Sequence, residues 1–154
     1  MALSLNLTSL DQGATYEFQV IAKGDGTSYE DSDASSSVQW TTKTKLATPV
    51  VSITKDTSSI TPSWSAIANA TSYVVEYKLS TASQWTSTTT ASTSKKIDNL
   101  TSGATYKIRV KATSTNSAYV DSDYSTVSTV VVSSQLDTPN PTYSATTSSS
   151  LDRK

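Results

Sequence analysis

The sequence of 154 residues contains no cysteine and no histidine. Without cysteine the chain can form neither a disulfide nor a thiolate metal site. Without histidine it lacks the commonest general base and a frequent zinc ligand. These absences argue against catalysis and against a zinc centre, and the sequence gives no sign of a cofactor.

Charge and long apolar runs are also scarce. The formal net charge is −1, and charged residues make up 16% of the chain, so the basic footprint of a nucleic-acid-binding protein is missing. No window approaches the roughly 18 apolar residues of a membrane helix. Residues 1–6 lack the basic and apolar segments of a secretion signal. We therefore expect no nucleic-acid partner and no membrane span, and any export signal would lie outside this chain.

A repeat with a spacing of 90 residues organises the sequence. Gly13-Ala14-Thr15-Tyr16 returns as Gly103-Ala104-Thr105-Tyr106, and Asp31-Ser32-Asp33 returns as Asp121-Ser122-Asp123. A register that holds without a gap over this distance indicates one folding unit copied in tandem. It predicts the last three strands of a unit in 1–45, a complete unit in 46–135 and the start of a further unit in 136–154.

Alternating apolar and polar residues predict strands in the complete unit. Tyr106, Ile108 and Val110 alternate with charged residues, so one face of that strand is expected to be buried. Seven strands in about 90 residues indicate an all-β, seven-stranded antiparallel β-sandwich. The predicted strands are Val50–Thr54, Ser59–Trp64, Ser72–Lys78, Gln84–Thr88, Lys95–Leu100, Thr105–Thr113 and Thr126–Val132.

These residues resemble a known family. Ile60 and Trp64, followed by Tyr73-x-Val75-x-Tyr77 and by Leu100-x-x-Gly103-x-x-Tyr106, are similar to the core signature of fibronectin type III domains. The resemblance implies that Trp64 fills the centre of the sandwich and that the Tyr106 hydroxyl bonds back to nearby backbone. The structural core predicted with it is Trp64, Tyr73, Val75, Tyr77, Leu100, Tyr106, Ile108 and Val110, with Tyr16, Phe18 and Val20 in the first unit.

Pro62 departs from the family pattern. It lies inside the second predicted strand, and a proline cannot donate a ladder hydrogen bond. We therefore expect a bulge or an unpaired edge at this position.

Two short joints connect the predicted units. They are the segments 44–49 and 134–139, each of which carries a leucine and ends in a proline. The leucine could pack under the following unit, and the proline fixes the backbone angle φ. The joints are expected to act as semi-rigid links.

Three residues are candidates for ligand contact. Asp25 follows Lys23-Gly24 in a loop where some animal members of the family display an integrin-binding tripeptide, although Gly24-Asp25-Gly26 is also an ordinary turn. Trp85 and Trp40 lie outside the family's core positions. Either ring could stack on a sugar or cover the edge of the core.

Carboxylates suggest two further sites. Asp25, Asp31, Asp33, Asp121 and Asp123 could supply oxygen ligands for calcium, but their spacing is more simply that of turns. Glycoside cleavage needs two carboxylates facing one cleft. The three glutamates, Glu17, Glu30 and Glu76, are expected on separate elements.

The sequence thus predicts a non-catalytic spacer and interaction module of an extracellular cell-surface protein or fibre. The loops containing Gly24-Asp25-Gly26 and Asp31-Ser32-Asp33 resemble those of bacterial family members. The expected partners are other copies of the chain or neighbouring repeats, with surface polysaccharide or a host protein as further candidates. The incomplete ends are either the boundaries of an excised piece or strands that pair head to tail to build an adhesive filament. The alternative function is a carbohydrate-binding or linker module of a secreted polysaccharide-degrading enzyme.

Overall fold

The computed structural model describes residues 4–134 and 136–142. In this part of the chain the regular structure is entirely β, and no helix is long and apolar enough to cross a membrane. The strands are β1 Thr15–Phe18, β2 Val38–Thr41, β3 Thr44–Lys45, β4 Val51–Lys55, β5 Ile60–Trp64, β6 Ser72–Leu79, β7 Thr86–Thr90, β8 Thr105–Thr113, β9 Tyr119–Val120 and β10 Ser128–Val131. The predicted third unit, 136–154, lies largely outside the described residues.

Two antiparallel sheets enclose the core formed by residues 46–134. One sheet has the strand order β10-β8-β6-β7, and β6 pairs with β8 along its whole length from Ser72 to Leu79. The other contains β4 and β5 and is extended by the segment 93–97 through two isolated bridges. The predicted all-β sandwich is confirmed.

Strand β8 shows why this sequence folds as a sandwich. Its residues are alternately buried and half-buried from Thr105 to Thr113, because successive side chains of a strand point to opposite faces. The observed bounds are those predicted from the sequence. Its apolar face packs against the opposing sheet, and its charged face lies on the outer surface.

Twelve buried apolar residues form one cluster. The Trp64 ring packs against the Tyr73 ring at a centroid distance of 5.1 Å and an interplanar angle of 59°. Tyr77 is half-buried and packs against the edge of the cluster. The cluster consists of Leu46, Ile60, Trp64, Tyr73, Val75, Ile97, Leu100, Tyr106, Ile108, Val110, Ala112 and Val132.

A tyrosine closes the turn before β8, and the same arrangement occurs before β1. The amide of Thr101 donates to the Tyr106 hydroxyl at 3.2 Å, and the amide of Asp11 donates to the Tyr16 hydroxyl at 2.9 Å. Gly103 lies in the same turn with φ of 75°. A Cβ at this position would come within 2.9 Å of the Ser134 hydroxyl oxygen. The positive φ therefore favours glycine, and a larger residue would also have to displace the Ser134 hydroxyl.

Serine hydroxyls continue the pairing of β8 beyond β10. The amides of Val110 and Ala112 donate to the hydroxyls of Ser125 and Ser122 at 3.0 and 2.8 Å. In the first unit the amides of Val20 and Ala22 donate to Ser35 and Ser32 in the same way. These hydroxyls replace carbonyl acceptors, so the chain segment can leave the regular ladder without leaving the strand amides unpaired.

The prediction of a regular strand at Lys95–Leu100 is wrong. Only the bridges Ile60↔Ile97 and Ser63↔Ser94 join this segment to β5. Pro62 lies between them: its carbonyl accepts from Lys95, but it has no amide to return a bond. The register between β4 and β5 runs without a bulge past Pro62. The missing donor therefore interrupts the pairing on the other edge of β5.

The described part of the predicted first unit, 1–45, contains the hairpin β1–β2 and the loops around it. Tyr16 pairs with Trp40 and Phe18 pairs with Val38, so these four side chains share one face of the hairpin. Val20 continues that face and is 72% exposed. We call the surface formed by Tyr16, Phe18, Val20, Val38 and Trp40 the open face. No second sheet covers it within residues 4–134 and 136–142.

The prediction of a core around Val20 therefore has to be corrected for this chain. Val110, its equivalent 90 residues later, is completely buried. In the middle unit β4, β5 and the segment 93–97 form the opposing sheet above β8. The described part of the first unit has no equivalent of β4 and β5. Tyr16 and Phe18 are half-buried for the same reason.

The two tyrosine turns provide a stability test with an internal control. Replacing Tyr106 by phenylalanine removes the acceptor of the Thr101 amide and should lower the free energy of unfolding of the middle unit by about 1 kcal/mol. Tyr16→Phe removes the equivalent bond from a unit without an enclosed core, and should leave that free energy unchanged. Urea unfolding followed by tryptophan fluorescence measures both. If both substitutions lowered the free energy of unfolding equally, the Tyr106 hydrogen bond would not be specific to the stability of the middle unit.

Candidate interaction surface

A layered cluster of charged and aromatic side chains lies on the outer face of the four-stranded sheet. Arg109 on β8 is directly opposite Glu76 on β6. The Arg109 guanidinium carbon lies 4.3 Å from the centre of the Trp85 ring and 4.1 Å from the centre of the Tyr124 ring. Such contacts hold a cation against the electron-rich face of an aromatic ring. We call Glu76, Trp85, Arg109 and Tyr124 the arginine cluster.

Glu76 connects the members of the arginine cluster. One of its carboxylate oxygens accepts from Arg109 at 2.6 and 2.7 Å, and the other accepts from the Tyr124 hydroxyl at 2.9 Å. The side chains of Arg109 and Glu76 are only 27% and 15% exposed. Because both are largely shielded from water, their attraction is screened less than that of an open surface pair.

Two further cations border the arginine cluster. The Lys78 ammonium lies 5.0 Å from the centre of the Trp85 ring. The Lys111 ammonium lies 5.5 Å from the centre of the Tyr124 ring and 2.8 Å from an Asp121 oxygen. The Asp121 hydrogen bond raises the pKa of Lys111. The outer sheet face thus carries the ion pairs Arg109–Glu76 and Lys111–Asp121, with Lys78 placed against the Trp85 ring.

Trp85 is consequently a poor candidate for sugar binding. It is half-buried, and the Arg109 and Lys78 cations contact its ring. A sugar needs an uncovered aromatic face for stacking. The position of Trp85 just before β7 instead allows it to cover the charged side chains of β6 and β8.

Trp40 is in a different environment. It is 52% exposed, but it belongs to the open face, where it pairs with Tyr16. Its equivalent in the middle unit, Val130, packs against the core. Trp40 therefore occupies a position that faces inward in the sandwich of residues 46–134, but no opposing sheet covers it among the described strands.

Asp25 is held inside its own loop. One carboxylate oxygen accepts the amides of Thr27, Ser28 and Tyr29 at 2.9, 2.7 and 2.8 Å. Bonds from Tyr29, Thr27 and Ser28 lower the pKa of Asp25 to about 2, because they stabilise the ionised carboxylate. Gly26 in the same turn has φ of 72°. The Lys23-Gly24-Asp25 segment is thus part of a closed turn.

The other aspartates are engaged separately. Asp31 accepts from Lys23 and from the Gly24 amide. Asp121 pairs with Lys111, and Asp123 pairs with Lys45. Within the described residues no three acidic side chains come together as a metal site. The glutamates are also apart: Glu17 is on β1, Glu30 is in an exposed loop and Glu76 is in the arginine cluster.

The predicted joint at 44–49 forms backbone hydrogen bonds with residues 118–120. The amides of Thr44 and Leu46 donate to the carbonyls of Ala118 and Val120 at 2.9 and 3.1 Å, so β3 lies parallel to β9. Leu46 is 4% exposed and belongs to the core cluster.

Lys45 connects the joint to both units. Its ammonium pairs with Asp123 of the middle unit at 2.6 Å, and its amide donates to the Gln12 side chain of the first unit at 2.8 Å. The segment 44–46 therefore has fixed contacts on either side.

The arginine cluster was not predicted from the sequence. Arg109 and Glu76 are 33 residues apart, and only the cross-strand register between β6 and β8 brings them together. The alternation of apolar and polar residues in β6 and β8 was a signal that could have predicted both side chains on the outer face, but not that they lie opposite each other. Tyr124 lies between β9 and β10, and no periodic pattern indicated where its ring would lie.

Tyr124 should titrate abnormally. Partial burial, followed by the hydrogen bond to Glu76, raises the pKa of its phenol above the usual 10. The resulting stabilisation is complete below pH 10 and is lost as the pH rises through the higher pKa of the folded state. Titration of the tyrosine ring carbons by NMR should show a midpoint above 10 that disappears in Tyr124→Phe. A midpoint at or below 10 would be inconsistent with the Glu76 contact.

Asp25 should titrate at low pH. Its midpoint in the folded chain should be about 2, compared with about 3.9 in a peptide of residues 23–31. The turn is stabilised at pH values above about 4, and this stabilisation is lost as the pH falls toward 2. Carboxyl-carbon NMR measures both midpoints. A midpoint near 3.9 in both the chain and the peptide would show that the three backbone amides do not donate hydrogen bonds to Asp25 in solution.

Comparisons with solved structures identify the architecture. No protein-family model matches the sequence, and no curated protein matches it. A segment of two fibronectin type III domains from chicken tenascin is 19% identical with a TM-score of 0.53, and the alignment covers 80% of this chain and 68% of the segment. A myokine structure is 16% identical with a TM-score of 0.50, covering 58% of this chain and 98% of that one.

The chicken CNTN1 FN1-FN3 domains are 19% identical with a TM-score of 0.49, and the alignment covers 80% of this chain. This chain spans 44% of that longer protein fragment. The two-layer sandwich, the buried tryptophan and the tyrosine turn thus lead to one conclusion: the chain has the fibronectin type III fold.

Proposed function

We propose that this chain is a non-catalytic spacer and interaction module in a tandem array, and that the array belongs to an extracellular surface protein or fibre. The units of the array are 1–45, 46–135 and 136–154, as the 90-residue register indicates. Each unit adds length, and each joint fixes the orientation of one unit relative to the next.

The bonded joint is the observation that carries the proposal. A flexible linker would leave its backbone groups in water. Here the amides of Thr44, Lys45 and Leu46 all have acceptors in the neighbouring units. Lys45 and Asp123 add an ion pair across the joint, although the side chain of Asp123 is 72% exposed, so this pair contributes little by itself. The parallel pairing and the burial of Leu46 carry most of the stiffness.

The arginine cluster supports the interaction part of the proposal. A sheet face rich in charged side chains resists nonspecific association. Recognition is then left to the loops at the ends of the sandwich and to the open face. The same features count against the alternative of a carbohydrate-binding module, since Trp85 is covered by cations and Trp40 lies on the open face.

The stiffness of the joint can be tested by NMR in a weakly aligned sample. If the joint is rigid, residual dipolar couplings from β1–β2 and from residues 46–134 should fit one alignment tensor. Thr44 and Leu46 amides should also exchange slowly with solvent. Replacing Leu46 by serine removes the buried anchor and should make the two tensors diverge.

Asp98→Asn is the matched control, because it removes an exposed ion pair with Lys96 that lies away from the joint. It should leave the single tensor intact. Two independent tensors in the unmodified chain would rule out a stiff spacer at this joint.

A further inference from the structure

We propose that the open face and the neighbouring edge of β1 form a docking site for the first half of a unit, that is, for strands with the sequence character of residues 46–90. This inference builds on the proposed tandem array and names the partner of its incomplete unit. The partner segment would complete a sandwich of the kind that residues 46–134 form.

The first argument comes from equivalent positions in the two units. Val20 is 72% exposed, whereas Val110 is fully buried. Trp40 is 52% exposed, whereas its equivalent Val130 packs against the core. In the middle unit Ile60 and Trp64 cover this face from the opposing sheet, and Val75 lies beside Val110 on β6. All three are within residues 46–90. The open face therefore has the composition of a sandwich interior and is uncovered where residues 46–90 would lie.

The second argument is the free edge of β1. Strand β8 pairs with β10 on one side and with β6 on the other, whereas β1 pairs only with β2 among the described strands. The amides of Val20 and Ala22 donate to the hydroxyls of Ser35 and Ser32, and their carbonyls accept from the amides of the same two serines. Because backbone groups alternate in direction along a strand, those of Gln19 and Ile21 point to the opposite edge. They are positioned to pair with an added strand.

The third argument is the chemistry of the side chains along that edge. In the register of β6 with β8, Lys78 is opposite Lys107 and Val74 is opposite Lys111. The equivalents of these two β8 residues in the first unit are Glu17 and Ile21. A strand like β6 would thus place its lysine opposite a glutamate and its valine opposite an isoleucine. Both pairs are more favourable than their counterparts in the middle unit, while a glutamate at the Glu76 position between them would lie opposite Gln19 instead of Arg109.

The decisive experiment adds a copy of residues 46–90 ahead of Met1 in the full chain. The added segment should fold onto the open face. Trp40 emission should then shift to the blue, and its quenching by acrylamide should fall to the low level of the buried Trp64. A comparison with Trp40→Phe isolates its signal. The amides of Gln19 and Ile21 should become protected from exchange, and these changes should not depend on protein concentration.

A matched control carries Val75→Asp in the added copy alone. The buried carboxylate should prevent docking, and Trp40 should remain as exposed as in the unmodified chain. A second variant, Val20→Asp, alters the receiving face and should have the same effect. The added copy lacks Val110, so protection of the Val110 amide, which donates to Ser125, reports in every sample that the middle unit is folded.

Two results would overturn the proposal. Trp40 could stay exposed in the extended chain while the Val110 amide is protected, which would show that residues 46–90 do not fit the open face. Alternatively, Trp40 could become protected in the unmodified chain as its concentration rises, which would make a second copy the occupant. Neither result depends on the stiffness of the joint, so failure of this proposal is distinguishable from failure of the spacer function.

Discussion

The pairing of β6 with β8 is the interaction on which the rest of the structure depends. It joins Ser72–Leu79 to Thr105–Thr113 in one continuous antiparallel register. On the inner face this register aligns Val75 with Val110 at the centre of the core. On the outer face it places Glu76 opposite Arg109 and so assembles the arginine cluster. One set of backbone bonds therefore fixes both the apolar interior and the charged surface, and in the first unit the described strands provide no such partner for β1.

The sequence was sufficient to predict the fold because the relevant signals are local and repeated. Alternation along Tyr106, Ile108 and Val110 identified the buried face of β8, and the Gly103 turn with Tyr106 recurs in both units. The prediction of a strand at Lys95–Leu100 was wrong because the residue that interrupts its pairing lies in a different strand. Pro62 removes a donor from the neighbouring β5, and alternation within 95–100 contains no information about that loss.

The candidate surface could be predicted only in part. The sequence predicted Trp85, Trp40 and Asp25 as ligand-contact candidates from residue type and position alone. It did not predict which neighbouring groups surround each of them. Cations contact Trp85, Trp40 lies on the open face, and three amides bind Asp25. Arg109 and Tyr124 were missed because their contacts depend on strand register and on the path of the segment between β9 and β10. Residue type predicted the chemical capacity of these side chains, but only the tertiary arrangement determined how it is used.

Pro62 has a consequence for an array of similar units. Neighbouring units in one polypeptide are at high effective concentration, so identical strands can exchange between them and misfold. If the segment 93–97 detaches, the edge of β5 becomes accessible to a strand from an adjacent unit. That edge lacks one donor at its centre, so a foreign strand cannot form a continuous ladder on it. The proline thus weakens native pairing at one position, and in a tandem array it would make the β5 edge a poorer template for a strand from another unit.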